Sequence, residues 1–175
     1  MFEKFRSAAI GLSVLVILAG VGLYILVQTG GGDKIFGGKE GTLPPVDFAV
    51  LSRAFDDPSY LLCDKELCKN AEVDGPAPQF EVDAQTLRLA IADYTDNMPT
   101  VRTFRFDPMA NQFDFTERLP GESLPSVVTV RIIDKGNYAS ELVIFSRTPV
   151  GDSKAQDHEE RVTRWIRMIS SRLAG

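Results

Sequence analysis

The stretch from Ser7 to Gln28, SAAIGLSVLVILAGVGLYILVQ, contains no charged residue. It constrains the chain more than any other feature. At about 1.5 Å of rise per residue, roughly 20 apolar residues span a hydrocarbon layer of about 30 Å. A buried core helix of such uniform apolarity is a poor fit to a soluble domain of this size. A cleaved signal peptide is the stronger rival, since Thr29-Gly30-Gly31 would serve as a small-residue cleavage site. The apolar core of such peptides is usually shorter, about 7–15 residues. The expectation is therefore an uncleaved transmembrane anchor over 7–28, preceded by a cytoplasmic tail over 1–6. Lys/Arg counting is tied, with Lys4 and Arg6 before the span and Lys34 and Lys39 after it. Lys4 and Arg6 adjoin the membrane, whereas Lys34 and Lys39 lie farther off beside Asp33 and Glu40. Proximity thus favours a cytoplasmic N-terminus. This places the chain as a single-pass protein of the inner (cytoplasmic) membrane with its C-terminal domain extracytoplasmic.

The segment that follows, Thr29–Val46, holds six glycines and ends in Pro44-Pro45-Val46. As a flexible coil it reaches roughly 20 Å, which suits a tether over 29–46 carrying a soluble domain over 47–175. Without residues 1–28 the chain retains 17 basic and 23 acidic residues, a balance of −6. That acidity opposes nucleic-acid binding, which needs cations to neutralise phosphates, and docking on anionic lipid.

Only two cysteines occur, Cys63 and Cys68. On the oxidising side of a membrane the simplest reading is a disulfide between them, with free thiols as the alternative. Residues five apart on a regular helix point to different sides, so a bridge requires a loop or turn. A zinc site needs four ligands, and two cysteines with a single distant His158 supply too few.

Within the domain, FAVLSRAF is apolar but undecided in type. QFEV (79–82) reads as a short strand, and Asp83 as the N-cap of a helix with Ala84, Leu87, Ala90, Ile91 and Tyr94 on one face. The period then changes to two. VRTFRF and QFDFTE flank the turn DPMAN, giving a hairpin. Strict alternation places Phe104, Phe106, Phe113 and Phe115 on one aromatic face. Such a stack reads as core, with a ligand-pocket lining as the alternative. SVVTVRIID and YASELVIFS form a second hairpin, with Gly136 suited to a left-handed turn position. The last element carries His158, Val162, Trp165, Ile166, Ile169 and Leu173 on one helical stripe, opened by a Ser153–Gln156 capping box. Its charges oppose the macrodipole. The expected fold is α+β: a two-layer domain whose antiparallel sheet of about four to five strands is covered on one face by two helices.

No nucleophile motif, phosphate loop or dinucleotide fingerprint is present. His158, the single histidine, has no partner at metal-binding spacing. No catalytic residue, metal or cofactor is therefore assigned. The most suggestive segment is FSRTPVGDS, where Ser146, Arg147 and the N–H groups opening the last helix could hold an anion. The alternative is a tight strand-to-helix connection.

Ser146-Arg147, Gly151, Ser153 and Arg161-Val162, with the aromatic-containing helix after them, resemble the C-terminal signature of domain-of-unknown-function family 1499. GPAPQFEVDAQTL resembles that family's segment before its first helix, so the likeness extends over about 45–174. The chain departs from the signature at Lys154, Gln156, His158 and Glu159. The resemblance implies a small membrane-associated or secreted domain and assigns no activity. It adds Gly151, Ser153 and Arg161 to Ser146 and Arg147 as a candidate ligand-binding set. Three functions are weighed: a non-enzymatic domain engaging a protein partner in the envelope, a binding module for a small anionic or lipid-like ligand between the phenylalanine hairpin and Arg147, and an unrecognised hydrolase.

Overall fold

The computed structural model describes residues 43–54 and 56–174. The expected tail, membrane span and the tether over 29–42 lie outside the described residues. Among the described residues no helix is long and apolar enough to cross a membrane. A compact unit runs Pro45–Gly175.

Two strands come first, β1 (Ser59–Leu62) and β2 (Gln79–Phe80), then helix α1 (Ala84–Asp96). Four longer strands follow: β3 (Val101–Asp107), β4 (Gln112–Glu117), β5 (Ser126–Gly136) and β6 (Ala139–Arg147). Helix α2 (Ala155–Leu173) closes the chain. All strand pairs are antiparallel, in the order β1-β6-β5-β4-β3. β2 pairs with the start of β6 and β1 with its end, so two short strands share one edge. The two-layer α+β expectation holds, with a sheet of six strands rather than four to five.

Both helices lie on one face. Leu87, Ile91 and Tyr94 of α1 and Val162, Trp165 and Ile169 of α2 pack on Phe115, Val128, Val130 and Ile144. Burial of such side chains contributes roughly 1.5–3 kcal/mol each. Asp83 caps α1 as its position predicts, its carboxylate accepting from the Gln85 and Thr86 N–H groups. At α2 the expected capping box is displaced by one residue. Lys154 occupies the N-cap, and the Asp157 carboxylate accepts from its N–H at 3.3 Å. Ser153 turns instead towards the Pro58 carbonyl and the His158 ring, while Gln156 donates to Glu160.

The second face of the sheet is also covered. Val46, Phe48, Leu61, Cys63, Cys68 and Ala77 pack on Val143 and Phe145. The apolar run Leu142–Phe145 of β6 and the adjacent apolar pairs Val127-Val128 and Ile132-Ile133 of β5 carry that signal, since strands covered on both faces lose alternation. This cover is largely irregular, so polar contacts organise it. Arg53, 5% exposed, donates to the Ser59 hydroxyl and carbonyl, to the Glu72 carbonyl and to Asp74. Asp74 also accepts from the Leu61 N–H at 2.7 Å. The Cys63–Cys68 disulfide closes a turn in the same cover, with Cα atoms 6.2 Å apart and the Cys68 N–H bonded to the Asp64 carbonyl.

Alternation fails at one place in the β3–β4 hairpin. A β-bulge between Thr103 and Arg105 inserts Phe104 as an extra residue. Directly opposed residues share a face, so Val101 and Thr103, opposite Glu117 and Phe115, and Phe106, opposite Phe113, point to the helices. Arg102 and Arg105, opposite Thr116 and Asp114, point to the other side. The expected stack of four phenylalanines is thus three. Phe106 stacks on Phe113 at 4.4 Å and Phe113 on Phe115 at 6.0 Å, and Trp165 continues the series.

Gly136 adopts φ +69°, the left-handed value expected for it, and the two-residue loop Asn137-Tyr138 follows with φ of +50° and +59°. Tyr138 is 80% exposed, so no packing offsets its left-handed backbone. Tyr138→Gly should raise stability by about 1 kcal/mol, measured by chemical denaturation, because it relieves that strain. Replacing both cysteines by serine should cost about 2 kcal/mol in the same assay, the chain-entropy value for so short a loop.

Candidate functional site

β6 ends at Arg147 and α2 begins at Ala155; the end of β6 and the intervening turn hold Ser146, Arg147, Gly151 and Ser153, and α2 carries Arg161. Strand alternation divides them. Ser146 points to the helices, and Arg147 points to the opposite face. Ser146, Ser153 and Arg161 gather around the ring of His158. Gly151 serves the turn itself, with φ of +94°, and a Cβ there would meet Leu124 Cδ1 at 3.3 Å. The phenylalanine hairpin and Arg147, proposed walls of one pocket, have the sheet between them.

His158 is fully buried. Its Nδ1 lies 2.8 Å from Ser146 Oγ and 3.3 Å from Arg161 Nη1. A guanidinium can only donate, so Nδ1 is the acceptor and the ring proton sits on Nε2. Nε2 faces Ser153 Oγ at 3.1 Å and Thr148 Oγ1 at 3.4 Å. Burial, seconded by the Arg161 charge, pushes the pKa down to about 4, so the imidazole is neutral.

Arg161 is itself fixed by carboxylates. Its Nε donates to Glu117 Oε2 at 2.9 Å, and its Nη2 pairs with Glu122. Glu117, fully buried at the end of β4, also accepts from Arg164 Nη2 at 2.9 and 3.0 Å and from the Trp165 indole at 3.2 Å. Glu122 accepts from the Leu119 N–H at 2.8 Å, which ties the β4–β5 loop to the same network. Glu117, Glu122 and Arg164 were not singled out from the sequence. A signal existed: Glu117 follows Phe113 and Phe115 in the inward alternation, and an inward carboxylate demands a cationic partner.

Ser146 and His158 have the separation of a serine–histidine pair, but a hydrolytic site needs more. Both side chains are closed to solvent, and the far nitrogen of the ring meets hydroxyls rather than the carboxylate that would orient a base. The chemistry of this cluster is to fasten α2 to the sheet.

On the other face, Arg147 is half-buried. Its guanidinium lies over the Phe145 ring at 5.4 Å, and its Nε is buried without a hydrogen-bond partner. Burial lowers its pKa, while the carboxylates of Asp114 and Asp57 act in the opposite direction. Asp114 accepts from Thr129 Oγ1 at 2.7 Å and pairs with Arg105 Nη1 at 3.4 Å. Arg105 lies in turn over the Phe104 ring at 5.3 Å.

Among the described residues an open depression runs along the outer side of α2 beside Glu160 and Arg164, and another lies beside the disulfide at Asp64 and Gly75. Neither is lined by Ser146, Arg147, Gly151, Ser153 or Arg161. Among the described residues no group of three or more histidine, cysteine or acidic side chains converges as a metal site. Comparison with protein-family models and with curated proteins finds no match.

Glu117→Gln should cost about 3 kcal/mol in denaturant titration, because it removes the buried carboxylate shared by Arg161 and Arg164 and leaves Arg161 only the partly exposed Glu122 as countercharge. His158 has its own pH signature. Its folded pKa lies below the unfolded value of 6.5, so the unfolded state binds the extra proton between the two. Its contribution is complete above pH 6.5 and is lost as pH falls towards 4, by about 3 kcal/mol in all. His158→Asn should flatten that segment of the stability–pH curve.

Proposed function

We propose that this chain is a membrane-tethered extracytoplasmic domain, held in the inner membrane by residues 7–28, that engages a protein partner in the envelope without catalysing a reaction. The observation that carries the reading is the Cys63–Cys68 disulfide, with both residues about 1% exposed, in a domain that follows a 22-residue uncharged stretch. Structural disulfides belong to oxidising compartments, and so long an apolar stretch suits delivery of the domain across a bilayer. The resemblance to family 1499 agrees with a membrane-associated or secreted domain.

Two further features favour a protein partner over an enclosed small ligand. The residues expected to bind a ligand divide between the two faces of the sheet. Phe106, Met109 and Tyr138 stand exposed on the β3–β4 and β5–β6 hairpins, Met109 almost completely so. Those two hairpin turns lie towards the same end of the sheet, since Gln112, next to the first turn, pairs with Arg131, and β5 runs on from there to Gly136 before the second.

An enzyme reporter that works only outside the cytosol, fused after Gly175, should be active. Activity of a cytosol-restricted reporter at the same position would overturn the topology. Native mass spectrometry of the detergent-extracted chain should show a co-purifying protein, and a co-purifying small molecule would favour the ligand-binding alternative.

A further inference from the structure

The chain enters the folded domain beside the turn between β3 and β4. The Val46 carbonyl accepts from Gln112 Nε2 at 2.9 Å, and Gln112 is the first residue of β4. Val46 is buried, while Pro44 and Pro45 before it are exposed. The same end of the sheet carries Met109, 98% exposed, in that turn, and Tyr138, 80% exposed, in the turn between β5 and β6. The second turn projects beyond the first. The Ile132 N–H donates to the Asn111 carbonyl, and β5 continues from there to Gly136. A plane that touches both turns is therefore inclined towards β3, the edge strand, and meets half-exposed Phe106 as well.

The side chains at this end suit the boundary between water and lipid. Tyr138 holds a left-handed backbone at a hairpin position that favours glycine, and its exposure leaves that cost without packing in return. Tyrosine is enriched where a membrane meets water, because its ring is apolar and its hydroxyl is not. The charges beside the turns are engaged within the domain. Asp107 accepts from the Met109 and Ala110 N–H groups, Asp134 accepts from the Gly136 N–H, and Lys135 pairs with Glu141. Residues 29–45 separate the uncharged stretch from Val46, and by composition they reach roughly 20 Å. A domain of this size is roughly 35 Å across. On the reading that residues 7–28 lie in the bilayer, the hairpin end is the part of the domain kept closest to lipid. The turn between β6 and α2, at the other end of the strands, is kept farther away. Tethering makes the contact intramolecular, so a weak interfacial preference suffices.

We propose that the β3–β4 and β5–β6 turns rest on the surface of the bilayer through Met109, Tyr138 and Phe106, an apolar contact that sets which end of the domain faces lipid. The inference rests on the anchored reading. A protein partner that meets these side chains then does so at the bilayer surface. Trp165 is the single tryptophan and is fully buried, so its emission is a constant background for an indole added at the surface. The full chain carrying Met109→Trp, Tyr138→Trp or Val150→Trp is reconstituted into phosphatidylcholine vesicles with bromine high on the acyl chains. The indoles at positions 109 and 138 should be quenched about threefold more strongly than the one at position 150, where Val150 is 68% exposed in the β6–α2 turn. Raising the salt should leave the quenching unchanged, because the contact is apolar. Should Tyr138→Trp fail to fold, Met109→Trp carries the same readout.

Equal quenching at all three positions, or none at the two turns in a chain that floats with the vesicles, overturns the proposal and leaves the anchored reading standing. Quenching that disappears at high salt would assign the contact to charged side chains and overturn the apolar one. A chain that does not float with the vesicles overturns the anchored reading, and this inference with it.

Discussion

A single buried carboxylate organises the helix side of this domain. Glu117 ends β4 inside an apolar layer, and two arginines and an indole from α2 converge on it. Removing a carboxylate from water costs several kcal/mol unless charge and hydrogen bonds replace the lost hydration. That requirement fixes the register of α2 on the sheet. Arg161 and Arg164 lie on one side of the helix at a spacing of three, with Trp165 next to Arg164. They meet Glu117 together only at one rotation and one height of the helix. The same placement inserts Trp165 between Tyr94 and Phe115 and seals His158 against Ser146. An apolar stripe alone could slide or turn by a few degrees with little change in buried area.

The two faces of the sheet are held by different physics. The helix side is an aromatic and aliphatic layer pinned by one charged knot. Among the described residues the other side carries no helix, so its backbone polar groups are satisfied one at a time. Arg53 supplies several of those bonds at once, and the sulfur bridge closes the loop beside it. Farther along the same face, towards β3 and β4, the cover gives way to arginines. One face thus combines an apolar half with a half of paired charge, where Arg105 meets Asp114 and the Val46 carbonyl accepts from Gln112.

Periodicity and caps made most of the helix-side architecture legible in advance: Asp83 with the Leu87–Tyr94 stripe, the two hairpins and the Trp165 helix. What escaped is what arises between distant segments. The bulge at Phe104 inserts one residue into a pattern that reads perfectly as alternating, and only the partner strand reveals it. Arg53 and Asp74 lie in stretches without period, so their pairing had no local signature. Ser146 and Arg147 read in the sequence as one candidate site, but adjacent strand residues point to opposite sides, and a single joint site does not follow from them. Arg161 belonged with Glu117, a partner 44 positions away.

The two short strands sharing one edge of β6 bear on how the chain can assemble. Ser59 finds its partner only at Arg147, and Gln79 only at Glu141. A ribosome or translocation channel releases the early segment long before either partner exists. Through that interval β1 and β2 have no β6 to pair with, and the apolar groups that pack on β6 stay exposed to chaperones and to one another. The cysteine loop is the exception, since both sulfurs emerge together and can join without waiting for the sheet. Early closure there would shorten the search that the late, non-local pairing imposes.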